Sequence, residues 1–106
     1  MEDAFMKLFV CILALICLFP TSILAKTGNE LKETAVAMSK FQEGVFFGYV
    51  EGVLEARFRE VCVPHGVTRQ QAIDVVRKYL MDNPATLHQP ADDLVVRAVK
   101  LAWPCK

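Results

Sequence analysis

The stretch FQEGVFFGYVEGVLEARFREVC, from Phe41 to Cys62, constrains the fold more than any other part of the chain. Its periodicity predicts one long helix ending at a cysteine. Phe41, Val45, Tyr49, Val53 and Ala56 form one apolar row at i, i+4 spacing, and Phe47, Val50, Leu54, Phe58 and Val61 form a second. Two rows exceed the stripe of an ordinary surface helix, so other segments must cover it on more than one side. Glu43, Glu51, Glu55, Arg59 and Glu60 supply the wet side, with Glu55 and Arg59 spaced for an i, i+4 pair, and these charges exclude a membrane span. Gly44, Gly48 and Gly52 recur every fourth residue and therefore share one face. Glycine inside a helix costs about 1 kcal/mol relative to alanine. Three on one stripe predict close backbone approach, by a neighbouring helix of this chain or by a second chain.

Candidate covering segments lie on both sides. Before it, Leu31, Ala35, Val36 and Met38 in TGNELKETAVAMSK predict a short helix, with Asn29 as N-cap. After it, Pro64 and Gly66 make CVPHGVT a loop, and Thr68-x-x-Gln71 is a capping box opening the next helix. Ala72, Val75, Val76, Tyr79 and Leu80 give that helix an apolar face, while Arg69, Gln70, Asp74, Arg77 and Lys78 point outward. Pro84 and Pro90 bracket a second loop. A last helix, about Ala91 to Trp103, carries Asp92 and Asp93 in its first turn, where the macrodipole favours them, and an Asp93–Arg97 pair. It is apolar almost all round except at Arg97 and Lys100, which makes it the natural filler of the glycine groove. That leaves Phe46, Phe47 and Val50 as the surface for a homodimer. No stretch alternates with period two, so the expected fold is all-α, a small bundle of about four helices.

The N-terminus has a composition of its own. MEDAFMK precedes the apolar run LFVCILALICLF, then Pro20, then a small residue, Ala25, ahead of a polar run. This is the layout of a signal peptide, and the apolar run is short of the roughly 20 residues a spanning helix needs. Glu2 and Asp3 are unusual in such a leader, and Met6-Lys7 makes the better start. Cleavage after Ala25 leaves Cys62 and Cys105 as the mature pair from a total of four cysteines. An even pair in a small exported chain reads as one disulfide. A loop of this length is worth roughly 4 kcal/mol, which matters for a domain marginal on core burial alone.

Little here points to catalysis. The formal net charge is zero, with no basic run for nucleic acid. His65 and His88 both sit in proline-containing loops. A Cys62–His65 nucleophile pair has no surrounding motif, and oxidation competes for the thiol. Cys62, His65, His88 and Cys105 begin like a zinc motif but lack its second half. Solvated loop histidines are the simpler reading, and neither a metal nor another cofactor is expected. The two loops remain as functional surface: proline stiffens both, and a stiff loop loses less entropy when it binds a partner.

GNEL (Gly28–Leu31), GYVEGV (Gly48–Val53), CVPHGVTRQQAIDVVRKYL (Cys62–Leu80) and NPATLHQPADDLVVRAVKLAWPC (Asn83–Cys105) together resemble the Rap/Tai-type immunity-protein family. The resemblance spans nearly the whole mature chain. It implies a small, often dimeric periplasmic helical protein that binds a peptidoglycan-degrading amidase effector of a type VI secretion system. Inhibition in that family is by occlusion of the effector's cleft, with no chemistry by the immunity protein. Cys62 and Cys105 match the family's cysteines. Many members carry a further cysteine pair where this sequence has Thr34, Ala35, Phe46 and Phe47.

The expectation is therefore a signal peptide over residues 1–25 and a Rap/Tai-type immunity domain over residues 26–106, acting in the periplasm as a binding protein, not an enzyme. The expected partner contacts are His65 and Val67 in the first loop and Thr86, Leu87, His88 and Gln89 in the second. Two alternatives compete. One is a periplasmic acid-stress chaperone of the Hde type, for which the carboxylates between Glu43 and Glu60 argue. The other is an exported structural protein of unknown partner, tethered if the leader is retained.

Overall fold

The computed structural model describes residues 2–18 and 25–106. Among these it has five α-helices and no strand: α1 (Glu2–Leu18), α2 (Gly28–Val36), α3 (Lys40–Ala56), α4 (Arg69–Asp82) and α5 (Ala91–Ala102). Short 3-10 turns lie at Phe58–Glu60 and Pro84–Thr86. The side chains of α1 from Glu2 to Ile16 are all exposed, so α1 adds none of them to the core. No helix of the described residues is long and apolar enough to cross a membrane. The expected break at Pro20 falls among residues 19–24, outside the described residues.

The packed unit is the four-helix bundle α2–α5. Its most buried helix is α5, which touches α2, α3 and α4. Leu94, Val95, Val96, Ala98 and Val99 are buried there among Leu31, Phe46, Val50, Ile73, Val76 and Leu80. The apolar circumference of α5 thus has the cause its sequence suggests, a position between three neighbours. Its last turn escapes this cover, and Leu101 and Ala102 are exposed.

Three expectations about the central stretch need correction. First, it is not one helix to Cys62. Arg57 caps α3 with its N–H on the Val53 carbonyl, and a 3-10 turn follows. Distance is the reason. Arg57 is ion-paired to the first turn of α5, while Cys62 is bonded to Cys105 beyond the last turn. The 12 residues of α5 span about 18 Å at 1.5 Å each. Five more helical residues would advance only about 7.5 Å, so the chain must open out to reach. The Glu55–Arg59 pair is lost with the helix; Arg59 instead lies over the Phe58 ring, 5.6 Å from its centroid.

Second, α5 does not fill the glycine groove. α3 is rolled so that Phe46, Val50 and Val53 face the core. A Cβ built on Gly44, Gly48 or Gly52 meets no atom within 4 Å. Third, Phe46 and Val50 are both 0% exposed, so they cannot form a dimer surface. Phe47 is half-buried against the core.

At the start of the bundle Thr27, and not Asn29, is the N-cap of α2, its hydroxyl accepting from the Glu30 N–H. The helix begins earlier because the N–H groups of Gly28 and Asn29 donate to the Gln89 and Leu87 carbonyls at 2.9 and 2.8 Å. Arg77, expected to face water, is half-buried instead. It donates to the Ala35 carbonyl at 3.2 Å, and its guanidinium lies 5.2 Å from the centroid of the Phe46 ring. The capping box of α4 forms as the sequence reads, with Thr68 N donating to Gln71 Oε1 and Gln71 N to Thr68 Oγ1.

Candidate partner-binding surface

The Cys62–Thr68 loop is held at both ends and exposed in the middle. The Cys62–Cys105 disulfide, with a Cα–Cα distance of 5.2 Å, anchors one end across a sequence separation of 43. The capping box of α4 fixes the other. Between them Val67 N donates to the Pro64 carbonyl at 3.3 Å. Gly66 takes φ +97°, a left-handed value that residues with a Cβ rarely adopt. Val63, Pro64, His65 and Gly66 are exposed, and Val67 is half-buried. His65 therefore stands near the tip of a short loop with little freedom.

The second loop is different in kind. Leu87 is only 3% exposed and belongs to the core, so it is not a surface contact as expected. An apolar side chain in a loop pinned against α2 has a drier place to go than solvent. Thr86 donates its hydroxyl to the Asn83 carbonyl at 3.0 Å. Gln89 accepts from Gly28 through its backbone and from Arg97 Nη1, at 2.8 Å, through its side chain. Arg97 is thereby taken from the expected Asp93–Arg97 pair. An isolated bridge between Thr27 and Pro90, and the bond from Ala91 N to the Lys26 carbonyl, complete the attachment. Of the four residues expected to make contact here, His88 alone is exposed.

The two loops lie at opposite ends of α4, whose 14 residues span about 21 Å. The structure does not bring His65 and His88 together. Cys62 and Cys105 are joined to each other, so the four residues weighed as zinc ligands form no site. Among the described residues no group of three or more His, Cys, Asp or Glu could hold a metal ion.

A third surface was only partly legible. The open glycine face of α3 floors a shallow groove of about 420 Å³, bordered by Tyr49, Ala56, Arg57 and Asp92. Burial, and then the nearby Asp92 charge, push the Tyr49 phenol above its ordinary pKa. Lys26 Nζ sits 5.4 Å from the centroid of the same ring. At the end of the groove Arg57 forms two bonds to Glu60, at 2.6 and 2.8 Å, and one each to Asp92 and Asp93. Only the carboxylates of α5's first turn hinted at this cluster; a partner from the end of α3 was not readable from local spacing.

The family model of the Rap1a immunity proteins matches residues 27–105. The chain belongs to that family. Its match begins at Thr27, the N-cap of α2, and closes at Cys105, the second cysteine of the disulfide. It therefore contains the whole four-helix bundle and both loops. Neither the comparison with curated proteins nor that with solved structures returned a match. A Rap1a-family chain is of the immunity type, and its partner is a protein effector, so the surfaces that matter are those fitted to another protein.

Proposed function

We propose that this chain is an exported, periplasmic immunity protein that binds a peptidoglycan amidase effector of a type VI secretion system and occludes its cleft, with no chemistry of its own. The family match over the entire folded unit carries the reading. The side chains of α1 from Glu2 to Ile16 are all exposed, which supports removal of residues 1–25 as a leader.

The Cys62–Thr68 loop is the occluding element, with His65 and Val67 as contacts. Entering a cleft requires a protruding loop that is already ordered, and this one is fixed by a disulfide, a proline and a capping box. His88 lies at the far end of α4, away from that contact, and Leu87 is buried in the core. The uncovered face of Gly44, Gly48 and Gly52 offers a second copy a place to pack, and sedimentation velocity gives the oligomeric state.

The test is calorimetric titration of the mature chain with the type VI amidase of the same strain. His65→Ala combined with Val67→Ala weakens binding at least about tenfold, as expected for residues at the centre of an interface. His88→Ala changes it by less than about twofold. Unaltered binding by the double variant overturns the loop assignment, and no binding by the unaltered chain overturns the effector class.

A further inference from the structure

The Cys62–Cys105 disulfide is a covalent tie that lies at the surface. Both cysteines are exposed, and neither belongs to the buried cluster. An open cleft of about 560 Å³ lies against Cys62, walled by Pro64, Trp103 and Pro104. Another protein's thiolate reaches a bond so placed without any opening of the bundle, and access is one of the factors that set the rate of thiol–disulfide exchange. Exposed disulfides are also the more easily reduced ones.

What the tie holds is the candidate contact loop. Arg57 is fixed by its ion pairs to Asp92 and Asp93, and Thr68 by the capping box of α4. Between them, the backbone bonds donated by Glu60, Val61 and Val67 go to Arg57, Phe58 and Pro64, within the segment itself. Val61 packs against the core, but every residue from Cys62 to Gly66 is exposed. The disulfide is therefore what links this stretch to the end of α5.

We propose that the Cys62–Cys105 disulfide is a thiol–disulfide exchange site whose redox state switches the loop between an ordered form that binds and a loose form that binds poorly. The reductant is a protein dithiol. Its thiolate enters by the cleft and attacks Cys62 Sγ; the Sγ–Sγ bond breaks, and Cys105 leaves as a thiolate that takes up a proton. The dithiol's second thiolate then resolves the mixed disulfide, and Cys62 leaves as a thiolate and is protonated in turn. The chain gains two electrons and two protons, and the dithiol gives up the same to become a disulfide. A protein disulfide runs the steps backwards, so the loop is set only where an oxidant reaches the chain. The gating of binding rests on the proposal that this chain acts on a protein effector; the exchange itself does not.

The first measurements need no effector. The rate at which dithiothreitol reduces the mature chain in buffer rises in proportion to its concentration and lies within about tenfold of the rate in concentrated urea. A thioredoxin whose resolving cysteine is serine is trapped on Cys62, and amide exchange of the reduced chain rises from Phe58 to Val67 while α2–α5 stay protected. A rate that levels off at the unfolding rate, or unchanged amide exchange, overturns the switch, and trapping on Cys105 overturns the cleft as its entrance. In the last measurement Cys62→Ser with Cys105→Ser stands for the reduced form, so that no reductant touches the effector. This variant binds the type VI amidase of the same strain at least about tenfold more weakly than the oxidised chain, because its loop must be ordered on binding. Equal affinity overturns the gating. If the oxidised chain binds no amidase, the functional reading fails while the reduction kinetics and amide exchange still judge the switch.

Discussion

Arg57 Nη1 donates to Asp93 Oδ1 at 2.9 Å and joins the C-cap of α3 to the first turn of α5. The same guanidinium holds Glu60 through two bonds, and this hydrogen bonding is the main reason the Glu60 carboxyl titrates below its ordinary value. A carboxylate with a depressed folded pKa adds stability that is fully present above its unfolded pKa and is lost as pH falls through the folded one. Stability is therefore expected to hold down to about pH 5 and to decline below about pH 4, near and beneath the unfolded glutamate value. Glu60→Gln makes that acid decline shallower. Denaturant unfolding repeated between pH 3 and 7 is the check, and identical acid slopes in the two proteins would refute the linkage.

This cluster also marks where reading the sequence stops working. The identity of the helices, the capping box at Thr68 and the burial of α5 all follow from local patterns at 3.6-residue spacing. The rotation of α3 does not. Its apolar residues cover more than half the circumference, so periodicity alone left two rows in competition. Packing against α5 then chose Phe46, Val50 and Val53 and turned the glycines outward. The break at Arg57 is likewise set by partners about 35 residues away, Asp92 and Asp93. At the candidate site, the stiffness of the first loop was readable from Pro64, Gly66 and Cys62. The burial of Leu87 was not, because it depends on hydrogen bonds that bring α2 against the second loop.

The open glycine face makes a prediction about stability. No atom stands in the way of a Cβ at Gly44, Gly48 or Gly52, and none of the three has positive φ. Each change to alanine should stabilise the monomer by about 0.4–1 kcal/mol, mainly by restricting the unfolded chain. Thermal unfolding of the triple variant should therefore move upward. A fall in stability would show that something packs on this face in solution, which sedimentation of the same variant would identify as a second copy or exclude.

Gly28 should behave in the opposite way. A Cβ there would collide with Leu94 Cδ1 and stand 2.9 Å from the Leu87 carbonyl oxygen. Backbone cannot withdraw as a flexible side chain can, so Gly28→Ala should cost about 1–3 kcal/mol by overpacking. Urea unfolding measures it, and a neutral result would mean that the junction of α2 with the second loop is looser than described.

The disulfide should be removable without losing the bundle. Cys62 and Cys105 are both exposed, and the buried cluster of α2–α5 includes neither. Cys62→Ser with Cys105→Ser should lower stability by about 4 kcal/mol at most, the value for releasing a loop of this length. Helical circular dichroism at low temperature should stay unchanged, and amide exchange should rise from Phe58 to Val67, where the backbone hydrogen bonds are local. A loss of helical signal would place the staple in the core's own folding.

A Rap1a-family chain that silences its effector by filling the cleft must do so mole for mole. Hydrolysis of peptidoglycan by the type VI amidase of the same strain, followed while the mature chain is added stepwise, tests it most directly. Occlusion predicts a linear fall in rate that reaches zero at a fixed stoichiometric ratio, with the His65→Ala, Val67→Ala variant shifting the curve to higher concentration. Full activity in the presence of excess chain, or complete loss at ratios far below stoichiometric, would contradict it.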